Sequence, residues 1–138
     1  MKRFIKRYLG MANQNLDNIT LPNLEQKMRQ EQFDENVIQE ILTLFQKRID
    51  TDGQAEFQTW LCNLHYRLPE EFQNEIVATQ IYDKCLNWIE QEVKKLKNET
   101  KLTWEEQTED IQSLSFKARK AQLVIRHRLS EVVFDLCS

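Results

Sequence analysis

Few residues in this chain have the type and spacing to do chemistry. Cys62 and His65 are three apart, which on a helix puts a thiol and an imidazole on one face, and Cys85 or Cys137 would have to complete a tetrahedral zinc site. No second ligand pair supports that site. Both residues also alternate with the apolar Leu61 and Leu64, so packing explains them better. Asp50-Thr51-Asp52-Gly53 resembles the start of a calcium loop, but the sixth position is Ala55 where glycine is needed and the twelfth is Leu61 where a bidentate glutamate is needed. Asp50 and Asp52 read instead as turn and helix-capping residues. His127 sits among cations in IRHRL, which disfavours its charged form. The chain has no Glu-x-x-His, no His-Glu-x-x-His and no glycine-rich phosphate loop. The expectation is a protein with no catalytic residues, no metal and no cofactor: not an enzyme.

Trp60, Trp88 and Trp104 could stack on bases, yet tryptophans at helical spacing more often fill cores and interfaces. Trp104, near an expected hairpin tip, is the best contact candidate of the three.

Positive charge is unevenly placed. Residues 116 to 130, FKARKAQLVIRHRLS, hold five Lys or Arg and no acid in a chain of formal net charge -3. A second basic cluster, Lys2, Arg3, Lys6 and Arg7, gives +4 to the first sixteen residues, leaving 15 basic against 22 acidic side chains elsewhere. Phosphate-backbone binding wants such cations on one face. At about 100° per residue, Lys117 and Arg128 fall on one flank of the last helix, Arg119 and Arg126 on the other, and Lys120 away from both. Flanking cations suit interhelical pairing better than a phosphate track.

The elements that must position these side chains are helices. Two glycines and two prolines in 138 residues are too few for the tight turns that sheets require. The basic segment 1–20 reads as a short amphipathic helix whose end is blurred by Gly10 and an asparagine-rich stretch, which leaves it room to move. A second short helix starts near Thr20. Asp34 caps a third, with Ile38, Ile41, Leu42, Phe45 and Ile49 as its apolar stripe and Gly53 as its stop. Phe57, Trp60, Leu61, Leu64 and Leu68 mark a fourth, ending at Pro69.

Pro69 then opens the first of two long helices, with a seam at Tyr82, Leu86, Ile89, Val93 and Leu96. Thr103 and Glu106 form a capping box for the second, which carries Ile111, Leu114, Ala118, Ala121, Ile125, Leu129, Val132 and Leu136. A short link makes these two an antiparallel hairpin over 69–136, in which facing residue numbers sum to roughly 202 because both arms rise equally from the turn. That register sets Asp83 near Lys117 and Arg119, sets Lys94, Lys95 and Lys97 near Glu105, Glu106 and Glu109, and brings Glu71 and Glu75 near Arg126 and Arg128.

The expected architecture is therefore all-α: one domain over 1–138, a helical bundle built on a long C-terminal hairpin packed against shorter N-terminal helices. Phe116, Leu123 and Phe134 lie nearly opposite the seam of the last helix, so either the N-terminal helices or a second chain must cover that side. With Trp104 they form the expected partner surface of a non-catalytic protein-protein interaction module, an adaptor or assembly subunit, with a homodimer as one form. The alternative is a nucleic-acid-binding accessory subunit contacting phosphates through Lys2, Arg3, Lys6, Arg7, Lys117, Lys120, Arg126 and Arg128. Three cysteines at wide spacing read as buried or incidental thiols of a reducing compartment, hence cytoplasmic. The sequons at Asn18 and Asn98 then read as chance, and no stretch approaches the length of a membrane span.

Overall fold

The computed structural model describes residues 15–64, 67–100 and 114–138. All regular structure among them is helical. After a 3-10 turn at Leu16–Asn18, Thr20 caps α1, Leu21–Gln30, by accepting from the Asn23 amide, and Pro22 occupies the first turn, where its missing N–H costs nothing. Leu24 and Met28 are its buried residues. The helix closes with Gln32 in the left-handed region at φ 63°, while the Phe33 amide bonds back to Met28 O at 3.0 Å and the Gln32 amide to Arg29 O at 3.1 Å. That is a Schellman closure, with Phe33 packing where the motif wants an apolar side chain. Trp88 holds the turn from outside, donating Nε1–H to Gln32 O at 3.1 Å with its ring 5.3 Å from that of Phe33.

Asp34 caps α2, Glu35–Asp52, which buries Ile38, Ile41 and Phe45 of the expected stripe and leaves Leu42 and Ile49 half-buried, with Val37 buried beside them. Gly53 ends it at φ 91°, ψ 161°, a conformation nearly confined to glycine, and also starts α3, Gln54–Cys62. The fourth apolar run stops being helical at Cys62, short of the expected Leu68.

Pro69 leads only a 3-10 turn, Glu70–Gln73; the helix proper, α4, is Glu75–Lys84, capped by Asn74 Oδ1 on the amides of Ile76 and Val77. The first arm of the expected hairpin is thus not continuous. It breaks at Cys85, whose amide is shared between Ile81 O and Tyr82 O, and α5 runs Leu86–Thr100. The break lets α4 bury Ala78, Ile81 and Tyr82 and α5 bury Ile89, Val93 and Leu96, while Leu86, a seam position in an unbroken helix, is left 46% exposed.

The last helix, α6, is Phe116–Cys137, capped by the Ser115 hydroxyl on the Ala118 amide. The capping box at Thr103 and Glu106 lies outside the described residues. Helix α6 is the centre of the packing: α4 and α5 lie against it, as do α1, α3 and the first 3-10 turn. It is therefore apolar on more than one side, burying Leu123 and Val124 as completely as Ala118, Ala121, Ile125, Leu129 and Val132.

The cysteines depart from the expectation of free thiols. Cys62 and Cys137 form a disulfide across a sequence separation of 75. Wide spacing hid the pair, because nothing local announces that the last turn of α6 returns to the end of α3. Cys85 stays a free, buried thiol.

Candidate interaction surface

Both N-termini that frame this surface are fixed by capping side chains, Asn74 for α4 and Ser115 for α6. Between them the Ser115 amide donates to Glu75 Oε1 at 3.1 Å, so the backbones at 75–76 and 115–116 are neighbours. The two most exposed large apolar residues described, Phe116 at 71% and Ile76 at 68%, follow directly from these positions. The Arg119 guanidinium lies 5.1 Å from the Phe116 ring and donates to Leu114 O at 3.1 Å. Lys117 reaches Asp83 at 3.0 Å and stands 6.0 Å from the Tyr82 ring. An aromatic and an isoleucine, with an arginine beside the ring and charges of both signs around them, have the composition of a protein-binding patch.

Of the expected partner residues, the structure leaves Phe116 at the surface. Leu123 is fully buried by the chain itself and is not available to a partner. Phe134 is half-buried, and Trp104 lies outside the described residues. Ile76 was not singled out by sequence reasoning. The signal was present: a helix started by Asn74 puts Ile76 roughly 200° from Ala78 and so away from the core.

The cations of α6 are engaged with neighbours. Besides Lys117 with Asp83, Lys120 meets Glu90 at 2.6 Å and Arg128 meets Glu92 at 2.6 Å, with Glu131 at 3.5 Å. Arg126 is half-buried on the same helix. Asp83 does meet Lys117, but the expected antiparallel register is not confirmed: the partners of Lys120 and Arg128 are Glu90 and Glu92, whose numbers rise along with theirs, while Glu71 pairs with Arg48 at 3.1 Å and Glu75 takes the Ser115 amide. The acids expected opposite Lys94, Lys95 and Lys97 lie outside the described residues, as do Lys2, Arg3, Lys6 and Arg7. Among the described residues no group of His, Cys, Asp and Glu is placed to hold a metal ion.

Glu90 also accepts from the Tyr82 hydroxyl at 2.7 Å, making a three-member chain Tyr82, Glu90, Lys120 that ties α4, α5 and α6. That bond, reinforced by burial and by the negative charge, pushes the Tyr82 hydroxyl up to about 12, while the Lys120 hydrogen bond holds Glu90 below the ordinary carboxylate range. The stability contributed by Tyr82 is complete below its unfolded value near 10 and is lost as pH rises through about 12. The Glu90 contribution is present above its ordinary value of 4.5 and is lost as pH falls through the lowered one. In a spectrophotometric titration read as the difference from Tyr82→Phe, Glu90→Gln is expected to bring the Tyr82 transition down toward the ordinary tyrosine range. An unmoved transition would mean that the Glu90 bond does not govern it.

No protein-family model matches this chain, and neither does any curated protein or solved structure.

Proposed function

We propose that this chain is a non-catalytic helical interaction module, an adaptor or assembly subunit, whose working surface is the junction of α4 and α6 around Ile76 and Phe116. The supporting observation is that these two large apolar side chains stay in water next in sequence to Glu75 and Ser115, which are hydrogen-bonded to each other. Each could bury roughly 1.5–3 kcal/mol of hydrophobic free energy against a partner. A second copy of the chain fits the same mixed-charge surround, so a homodimer belongs to this proposal. The nucleic-acid reading is less well supported, because Lys117, Lys120 and Arg128 already face carboxylates. The hairpin enters in reduced form, as the approach of Asp83 to Lys117.

No described helix is long and apolar enough to cross a membrane. We place the module in the cytoplasm, with the added requirement that an oxidant there can form the Cys62–Cys137 bond.

The test is recovery of cross-linked complexes from cells of the native source carrying wild type, Ile76→Glu/Phe116→Glu or the control Leu86→Glu, with far-ultraviolet circular dichroism confirming each fold. The junction variant is expected to lose one defined complex that the control retains. Identical complexes from all three would sink the proposal.

A further inference from the structure

We propose that Cys62 and Cys137 form a reversible thiol-disulfide site, a clasp that pins the last turn of α6 to the end of α3 when oxidised and releases it when reduced. Three features on that side of the molecule support it.

The two cysteines are brought together by contacts that do not need the bond. The Asn15 amide donates to Cys137 O at 2.7 Å, Asn18 Nδ2 donates to Leu136 O at 3.1 Å, and Lys27 lies 3.5 Å from Asp135. Ile19, Leu24, Phe57 and Leu61 contribute buried side chains from the facing elements, and Leu129, Val132 and Val133 from α6. The buried contacts do not depend on the bond, so both redox states are folded and only the last turn of α6 with the segment resting on it loosens on reduction, which separates a switch from a staple without which folding fails.

Exchange is confined to one pair. Cys85 is buried and its Sγ–H donates to Ile81 O at 2.8 Å, which stands against thiolate formation and against scrambled bonds. Burial pushes that thiol up to about 12.

Access comes at the edge of the packing. Cys137 closes α6 and its neighbour Ser138 is exposed, so local opening of that last turn uncovers a residue that is otherwise 6% exposed. Oxidation by a low-molecular-weight disulfide proceeds by attack of one cysteine thiolate on RSSR, expelling RS⁻, and then by attack of the second thiolate on the mixed disulfide, expelling another. Two cysteine thiols and one RSSR give the clasp and two RSH. Reduction by two RSH is the reverse.

The segment that gains or loses order is set by the same contacts. Residues 15–18 rest on the carbonyls of Leu136 and Cys137, so the clasp decides how firmly that entry to α1 is held.

The full chain is to be equilibrated in buffers of graded reduced and oxidised glutathione, quenched with acid, alkylated after unfolding, and counted by mass. Of its three cysteines, one is expected to be alkylated at the oxidising end and all three at the reducing end. The change should be a single reversible transition within the ratios that cells maintain, with the helical signal kept. Cys85→Ser should leave that transition in place. On reduction, hydrogen exchange in residues 15–18 and 132–138 should accelerate at least about tenfold. Three alkylated cysteines at every ratio would show that the bond does not form. One at every ratio would show a locked structural bond, and loss of helix on reduction would show a folding staple. Each of these overturns the proposal.

Discussion

Arg128→Met is expected to lower folding stability by about 3–5 kcal/mol, as breaking a buried pair does. The Glu92 and Arg128 side chains are only 7% and 14% exposed, and Arg128 Nε lies 2.6 Å from Glu92 Oε2. Removing the guanidinium leaves a buried carboxylate beside Lys95, which is 3.3 Å away but more than half exposed and so strongly solvated. The sign should change when both partners go. Glu92→Met/Arg128→Met is expected to lie within about 1 kcal/mol of wild type, or above it, because neither charge then has to be desolvated. Arg128→Lys should fall between, keeping the charge and losing the forked donor. Urea denaturation with a double-mutant cycle measures all three. If the single Arg128→Met variant proved as stable as wild type, α5 would not be held to α6 through this pair.

Phe45→Ala is expected to cost about 3–5 kcal/mol. Phe45 is fully buried, and its ring stands 5.3 Å from Phe57 at 61° and 5.9 Å from Trp60 at 87°, both edge-on arrangements. Trp60 in turn carries the Arg48 guanidinium 3.7 Å from its ring centroid, and Arg48 reaches Glu71 at 3.1 Å. The cavity would open where α2, α3 and the 3-10 turn at Glu70–Gln73 meet. Phe45→Leu, which keeps most of the volume, should cost less than half as much. Thermal unfolding at matched protein concentration reads both. A Phe45→Ala midpoint within about one degree of wild type would mean that this cluster is not part of the folding core.

Helix content was legible from glycine and proline scarcity, and α2 was legible almost to the residue, because Asp34, the stripe from Ile38 to Phe45 and Gly53 all agree. The failures lie where two signals compete. Pro69 followed by two glutamates looks like a helix start, yet Asn74 offers two amides a better cap and wins. Tyr82, Leu86, Ile89, Val93 and Leu96 keep a heptad beat across Cys85, so periodicity cannot reveal that the helix breaks there. The apolar sides of α6 were legible, but not what covers them: elements as distant in sequence as Leu21–Gln30 pack against this helix, and Leu123 is fully buried. The disulfide shares that cause, since it joins segments 75 residues apart, which local pattern does not encode. Ile76 does not: it was missed because the helix start was placed at Pro69 and not at Asn74.

Most direct for the central claim, that the cations of α6 are occupied by its own neighbours and leave the Ile76 and Phe116 junction as the working surface, is fluorescence anisotropy of labelled single-stranded RNA and DNA titrated with the full chain from low to physiological salt. No saturable binding that depends on Lys117, Lys120, Arg126 or Arg128 is expected at any salt. Affinity that falls linearly with salt on logarithmic axes, with a slope reduced by about one for each of those residues replaced by alanine, would contradict it.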